Sequence, residues 1–109
     1  MPSTYQRGKE WEKKVKDLVE VGAYDTHVYH CELIPRTKYG KKDLFGADIL
    51  CTNRLGWTLV QVKYRADRLP PLSKKTIKEM LQYKVPPTTK RVIARIDGRN
   101  KKVVWTEVG

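Results

Sequence analysis

No apolar run in this chain approaches membrane-spanning length, and its first residues lack the hydrophobic segment of a signal peptide. Cysteine is scarce. Cys31 and Cys51 fall in predicted strands and form neither a CxxC pair nor a dense framework, which favours a reducing, cytoplasmic setting over secretion. Histidine is equally scarce. His27 and His30 lie beside Cys31, but the spacing fits no usual zinc set, and alternation along a strand sends the two histidines to opposite faces. Internal repeats, low-complexity tracts and interdomain linkers are missing, so residues 1–109 read as one domain with a single modest core. Acid is also in short supply. The 12 Asp and Glu face 23 Lys and Arg, a formal charge of +11. That balance points to a polyanionic partner, most often nucleic acid, over a merely solvated basic surface.

What is present has a clear order. From Gln6 to about Val21, Trp11, Val15, Leu18 and Val19 recur at helical spacing, with Lys9, Lys13 and Lys16 on a neighbouring stripe and Gly22 as a C-cap. Glu12 lies between the stripes, where an i,i+4 pairing with Lys16 is its simplest role. His27–Ile34 reads as a first strand at a sheet edge, and residues 35–42 as a polar, basic loop. Two paired strands follow, Asp43–Leu50 and Trp57–Lys63, joined by a turn at Asn53–Gly56. Pro70-Pro71 breaks regular structure. Ser73 caps a second helix to about Tyr83, with Ile77, Met80 and Leu81 as its buried side, and Pro86-Pro87 ends it. Arg91–Ile96 and Val103–Val108 are the last strands, with a turn at Asp97-Gly98 between them. The order α-β-β-β-α-β-β predicts an α/β fold, a mixed β-sheet flanked by helices.

The central pair of strands carries the chemistry. Gln61 and Lys63 project from one face, and a lysine inside a sheet is costly to bury unless something compensates it. Asp48, thirteen positions before Gln61, comes beside them if the strands pair. A carboxylate, an amide oxygen and an ammonium in one pocket can hold a hard divalent cation against a phosphate. Asp48 is the strongest candidate metal ligand. Gln61 adds a side-chain carbonyl and Val62 a backbone carbonyl, and Glu12 can complete the shell from the first helix. Lys63 can contact the scissile phosphate, orient the water or stabilise developing charge. Asp43 is a rival or additional ligand; Asp48 is preferred because it adjoins the apolar strand. Arg36, Lys38, Lys41 and Lys42 concentrate positive charge beside this cluster, in a segment suited to closing over a phosphate backbone.

Gly8-Lys9-Glu10-Trp11-Glu12, Asp48-Ile49-Leu50, Gln61-Val62-Lys63 and the closing Trp105-Thr106-Glu107-Val108 together resemble the PD-(D/E)XK nuclease superfamily. Within it, they are similar to the archaeal-type Holliday junction resolvases. The resemblance spans nearly the whole chain and draws its specificity from order and spacing. It implies a restriction-endonuclease-like fold and a Mg²⁺-dependent endodeoxyribonuclease, with Mn²⁺ able to substitute. It also implies Glu12, Asp48 and Gln61 serving the metal and Lys63 as the catalytic lysine. Lys13 and Arg36 match basic positions of such enzymes. Ala47 replaces the proline of the superfamily name, and Gln61 stands where Asp or Glu is usual, which lowers the negative charge of the site.

The resemblance further implies a homodimer cutting two symmetric strands of a four-way junction, with Leu69, Leu72 and Val85 as apolar candidates for the contact. Lys9, Lys13, Arg65, Lys74 and Lys75, with Lys78 nearby, are the expected phosphate contacts; no side-chain pattern suggests base reading. Two alternatives remain. Another small nuclease of this fold would need the same four positions, and Gln61 keeps open a DNA-binding protein that has lost the chemistry. A basic protein of RNA or ribosome contacts would leave Asp48, Gln61 and Lys63 without a role.

Overall fold

The computed structural model describes residues 4–25, 30–34, 36–37, 40–41, 46–53 and 55–109, with the backbone alone at 4, 5, 36, 37, 40 and 41. Helix α1 (Thr4–Glu20) is followed by strands β1 (His30–Leu33), β2 (Arg36–Thr37), β3 (Gly40–Lys41), β4 (Ile49–Asn53) and β5 (Gly56–Arg65). Helix α2 (Lys74–Leu81) then leads to β6 (Lys90–Asp97) and β7 (Lys102–Val108). Five strands form one sheet in the order β1-β4-β5-β6-β7, with β1 at the edge as expected. All neighbours are antiparallel except β5 and β6. A parallel pair needs a long crossover, and α2 sits within it.

Alternation along the strands sorts the side chains to two faces. Val15 and Val19 of α1 pack on one face with Cys31, Ile49, Cys51, Val60, Val92, Ala94 and Ile96, all buried. Trp11, Tyr24, Val62, Tyr64, Val103 and Trp105 close this core at its margins. Helix α1 ends as its glycine predicts. Gly22 takes φ 84°, its N–H donates to the Val19 carbonyl, and that of Ala23 donates to Leu18, a Schellman closure. Glu20 sits at the negative end of the helix dipole, an unfavourable place for a carboxylate. Lys16 at 3.0 Å and the Cys31 N–H at 3.3 Å offset it.

The other face carries α2. Ser73 caps it as expected, its Oγ accepting from the N–H groups of Lys75 and Thr76. The buried side differs from the sequence expectation. Thr76 and Met80 are buried, Ile77 is half-buried and Leu81 is 42% exposed. The helix is only two turns long and turns its Thr76–Met80 line to the sheet, which rotates Leu81 outward. Two arginines of β6 hold the crossover at both ends. Arg91 Nη2 donates to the Tyr83 carbonyl at 2.6 Å and Arg95 Nη1 to that of Pro70 at 3.3 Å.

Three further expectations need correction. Part of the basic segment 35–42 pairs as a small antiparallel ribbon, with Arg36 opposite Lys41 and Thr37 opposite Gly40. Strand β4 starts at Ile49 and runs to Asn53, where the Asn53 side chain accepts from the N–H groups of Leu55 and Gly56 and turns the chain. Cys31 and Cys51 lie directly opposite in the β1–β4 register, Cα–Cα 4.1 Å, and form a disulfide. A separation of twenty residues carries no register information, so the pairing was invisible in the sequence. It removes the support that two unpaired thiols gave to a reducing compartment. Among the described residues, no helix is long and apolar enough to cross a membrane.

Candidate nuclease site at the fork of the sheet

Strand β5 outlasts β4. Ile49 opposite Val60 is the last registered pair, and Asp48 extends it by donating its N–H to the Val60 carbonyl at 2.8 Å. Among the described residues, Gln61–Arg65 then pairs with β6 alone, so the sheet forks. At the fork Asp48 meets the Gln61–Lys63 step of β5. Asp48 is only 4% exposed. Its carbonyl accepts from the Ile34 N–H at 2.9 Å, so β1 and β5 pin its backbone from both sides. Its side-chain Oδ2 then accepts from the Val62 N–H at 2.7 Å. The carboxylate is thereby held against the backbone step that separates Gln61 from Lys63.

Two geometric consequences follow from strand alternation. A strand residue directs its N–H and C=O toward the same edge. The Val62 carbonyl therefore faces the Asp48 side of β5. Val60, Val62 and Tyr64 belong to the α1 face, so Gln61, Lys63 and Arg65 belong to the α2 face. Asp48, one position before core-facing Ile49, directs its carboxylate to the Val62 N–H. The approach to Asp48 depends on Gly46, whose φ of 72° is a left-handed conformation that side chains with Cβ rarely adopt. A Cβ there would lie 3.6–3.7 Å from the Tyr83 ring, the Glu79 carbonyl and Met80. That is ordinary contact distance, so backbone conformation and not space is what requires glycine.

The remaining expected residues distribute as follows. Glu12 stands half-buried on α1, one turn ahead of Val15. Lys16 pairs with Glu20 instead of Glu12, and the carboxylates that raise its affinity for a proton are Glu20, Asp17 and Glu32. Lys9, Lys13, Arg65, Lys74, Lys75 and Lys78 are exposed. Arg36 and Lys41 lie in the β2–β3 ribbon, with side chains outside the described residues. Lys38, Lys42, Asp43 and His27 also lie outside them. Leu72 is exposed, while Leu69 and Val85 are half-buried. One neighbour was missed. Arg95 stands beside Lys63 in the β5–β6 register, on the same face. Its signal was the alternation Arg91-x-Ile93-x-Arg95, cation and apolar residue on one side of a strand.

The donor set suits a hard cation. Asp48 accepts from the Val62 N–H through Oδ2, the Gln61 amide carries a carbonyl oxygen, and the Val62 carbonyl faces the same edge. All are oxygen donors of the kind that magnesium and calcium take. Among the described residues, no three His, Cys, Asp or Glu side chains group closely enough to hold a metal. The amide at position 61 accordingly matters to any cation held here.

A mixed sheet flanked by helices, forked at an aspartate beside a Gln-x-Lys step, has the layout of a restriction-endonuclease-like α/β domain. The comparison of folds agrees. The chain is similar to the structure of Hjc, a Holliday junction resolvase from the hyperthermophilic archaeon Archaeoglobus fulgidus. The TM-score is 0.60 at 16% sequence identity, covering 92% of this chain and 74% of that one. The fold is therefore that of an archaeal resolvase, as the sequence resemblance implied. No family model and no curated protein matches the sequence.

Proposed function

We propose that this protein is a metal-dependent, structure-selective DNA endonuclease that resolves four-way junctions by paired symmetric nicks, acting as a homodimer. The carrying observation is the hydrogen bond from the Val62 N–H to Asp48 Oδ2, which sets a carboxylate at the fork between Gln61 and Lys63. Asp48, Gln61 and the Val62 carbonyl are the residues to hold Mg²⁺ or Mn²⁺, with Glu12 completing the shell from α1 and Asp43 as an additional carboxylate. A bound ion would polarise the scissile phosphate and lower the pKa of an attacking water. Lys63 contributes its ammonium on the α2 side of the same step, where it meets a non-bridging phosphate oxygen and stabilises the charge that grows there. The exposed lysines of α1 and of the first turn of α2 supply sequence-independent phosphate contacts, in keeping with a charge of +11.

The test is incubation with a synthetic junction, a duplex and a single strand, each with Mg²⁺. Symmetric nicks in the junction are expected, and they should disappear in Lys63→Ala while junction affinity stays within several-fold. Equal cutting by that variant would reject the site. Gln61 favours a second reading, a protein of the same fold that binds DNA without cutting it, since a neutral amide holds a cation less strongly than a carboxylate. Intact junction after prolonged incubation with Mg²⁺ or Mn²⁺, at undiminished affinity, would select that reading.

A further inference from the structure

Beside the fork, on the α2 face, lies a cavity of about 220 Å³. Lys63 and Arg65 of β5 and Ser73 and Thr76 at the start of α2 line it, over a floor that includes Pro70 and Ile93. Its volume falls below the roughly 300 Å³ at which drug-sized pockets begin, so a small fragment fits it better than a cofactor. The charged residues among its described lining are both cationic. Arg95 adjoins Lys63 in register, and its Nε is buried with no hydrogen-bond partner. Helix α2 opens with Lys74 and Lys75, and its first turn holds no acidic residue. Asp97, the carboxylate opposite Arg65 in the ladder, commits its oxygens to the Asn100 side chain and the N–H groups of Arg99 and Asn100. The Ser73 Oγ accepts from two backbone N–H groups, which leaves its hydrogen to donate. Two cations and two hydroxyls around a small hollow, with no carboxylate among its described lining residues, match a tetrahedral oxyanion.

We infer that this cavity is a second phosphate subsite, taking the backbone phosphodiester next to the one at the fork; as to the polymer it serves, the inference rests on the nuclease reading. Arg65 and the hydroxyls of Ser73 and Thr76 are the donors. Arg65 stands two residues past Lys63, roughly 6.6 Å along the strand at 3.3 Å per residue, so one continuous backbone can touch both. The subsite fixes the register of the strand against the fork without reading bases.

The subsite is tested on the full chain in metal-free buffer, by following backbone amide resonances during titration with the trinucleotide d(TpTpT), which carries only diester phosphates, and separately with inorganic phosphate. Saturable shifts at residues 63–65 and 73–76 are expected, with the trinucleotide binding more tightly. Arg65→Gln should weaken its binding roughly tenfold, the loss of one charge-assisted hydrogen bond, and Arg65→Lys should restore part of it. The amide spectrum of each variant reports its fold directly. Shifts confined to other residues, equal binding by Arg65→Gln, or tighter binding of inorganic phosphate than of the trinucleotide would each overturn the assignment. Junction cutting without a response at 65 and 73–76 sinks the subsite alone. A response there without cutting sinks the nuclease reading and keeps the subsite.

Discussion

On the α1 face of the sheet, Ile49, Cys51, Val60, Val92, Ala94 and Ile96 are buried against Val15 and Val19 with no charged side chain among them. On the opposite face the same strands present Gln61, Lys63, Arg65, Arg91 and Arg95, and only Leu59 and Ile93 are buried apolar residues of β5 and β6 there. The sheet is thus built from two materials, separated by the thickness of one strand. Burial of apolar area on the first face supplies the stability. The second tolerates cations and amides because α2 covers it only in part. The comparison is sharpest at two consecutive residues, Asp48 with its carboxylate on the Val62 N–H and Ile49 in the α1-side core.

Substitutions at that pair should separate the two faces, and the larger effect is expected on cleavage. Asp48→Asn keeps an oxygen to accept from the Val62 N–H, so its urea midpoint should stay close to that of the unaltered protein. Junction cutting should fall by roughly 10²-fold or more, because the replaced carboxylate is the strongest oxygen donor at the fork. Ile49→Ala should do the reverse, lowering stability by about 2–5 kcal/mol through the cavity it leaves. Cutting per folded molecule should persist in it. A fully folded Ile49→Ala that no longer cuts would show that the faces are not independent.

The disulfide belongs wholly to the stable face, and its effect should be next in size. Linking Cys31 to Cys51 closes a loop with a sequence separation of 20, and loops near that length gain about 3 kcal/mol from restriction of the unfolded chain. Reduction, or paired Cys31→Ala and Cys51→Ala changes, should lower the melting temperature without abolishing cutting below it. A thiol count that rises from none to two on reduction checks the state of the bond. An unchanged melting temperature would detach the bridge from the core's stability.

Much of this division was legible in the residues. Strand alternation put Gln61 and Lys63 together, the Val15–Val19 spacing gave the buried line of α1, and Gly22 and Ser73 marked helix ends through local backbone chemistry. What stayed hidden depended on register and rotation, which no local pattern encodes. The Cys31–Cys51 pairing needed the β1–β4 register, and Arg95 beside Lys63 needed the parallel β5–β6 register. Leu81 was assigned to the buried side because a two-turn helix carries too few residues to fix its own rotation. Lys16 was assigned to Glu12, one turn before it, whereas it pairs with Glu20, one turn after it, which also accepts from the Cys31 N–H.

That last choice leads to the smallest predicted effect, again on the stable face. The hydrogen bond from Lys16 holds the Glu20 carboxyl below its ordinary value of 4.5, with the Cys31 N–H assisting. The same contact raises Lys16 above its ordinary 10.5. A depressed carboxyl stabilises the fold above the unfolded pKa and loses that contribution as pH falls through the folded value. The raised lysine contributes fully below 10.5 and loses its share as pH rises through its folded pKa. Stability from this pair should therefore be flat across neutral pH and decline at both ends. With side chains 23% and 30% accessible, the contribution should be a few tenths to about 1 kcal/mol, and smaller in high salt. Asp97, held low mainly by the Asn100 side chain, declines over the same acid range, so acid loss alone does not identify Glu20. The difference between the unaltered protein and Glu20→Gln isolates it: urea midpoints should differ at pH 7 and converge toward pH 3. A constant difference across that interval would mean that the amide fails in packing or hydrogen bonding, and that the charge of Glu20 contributes nothing.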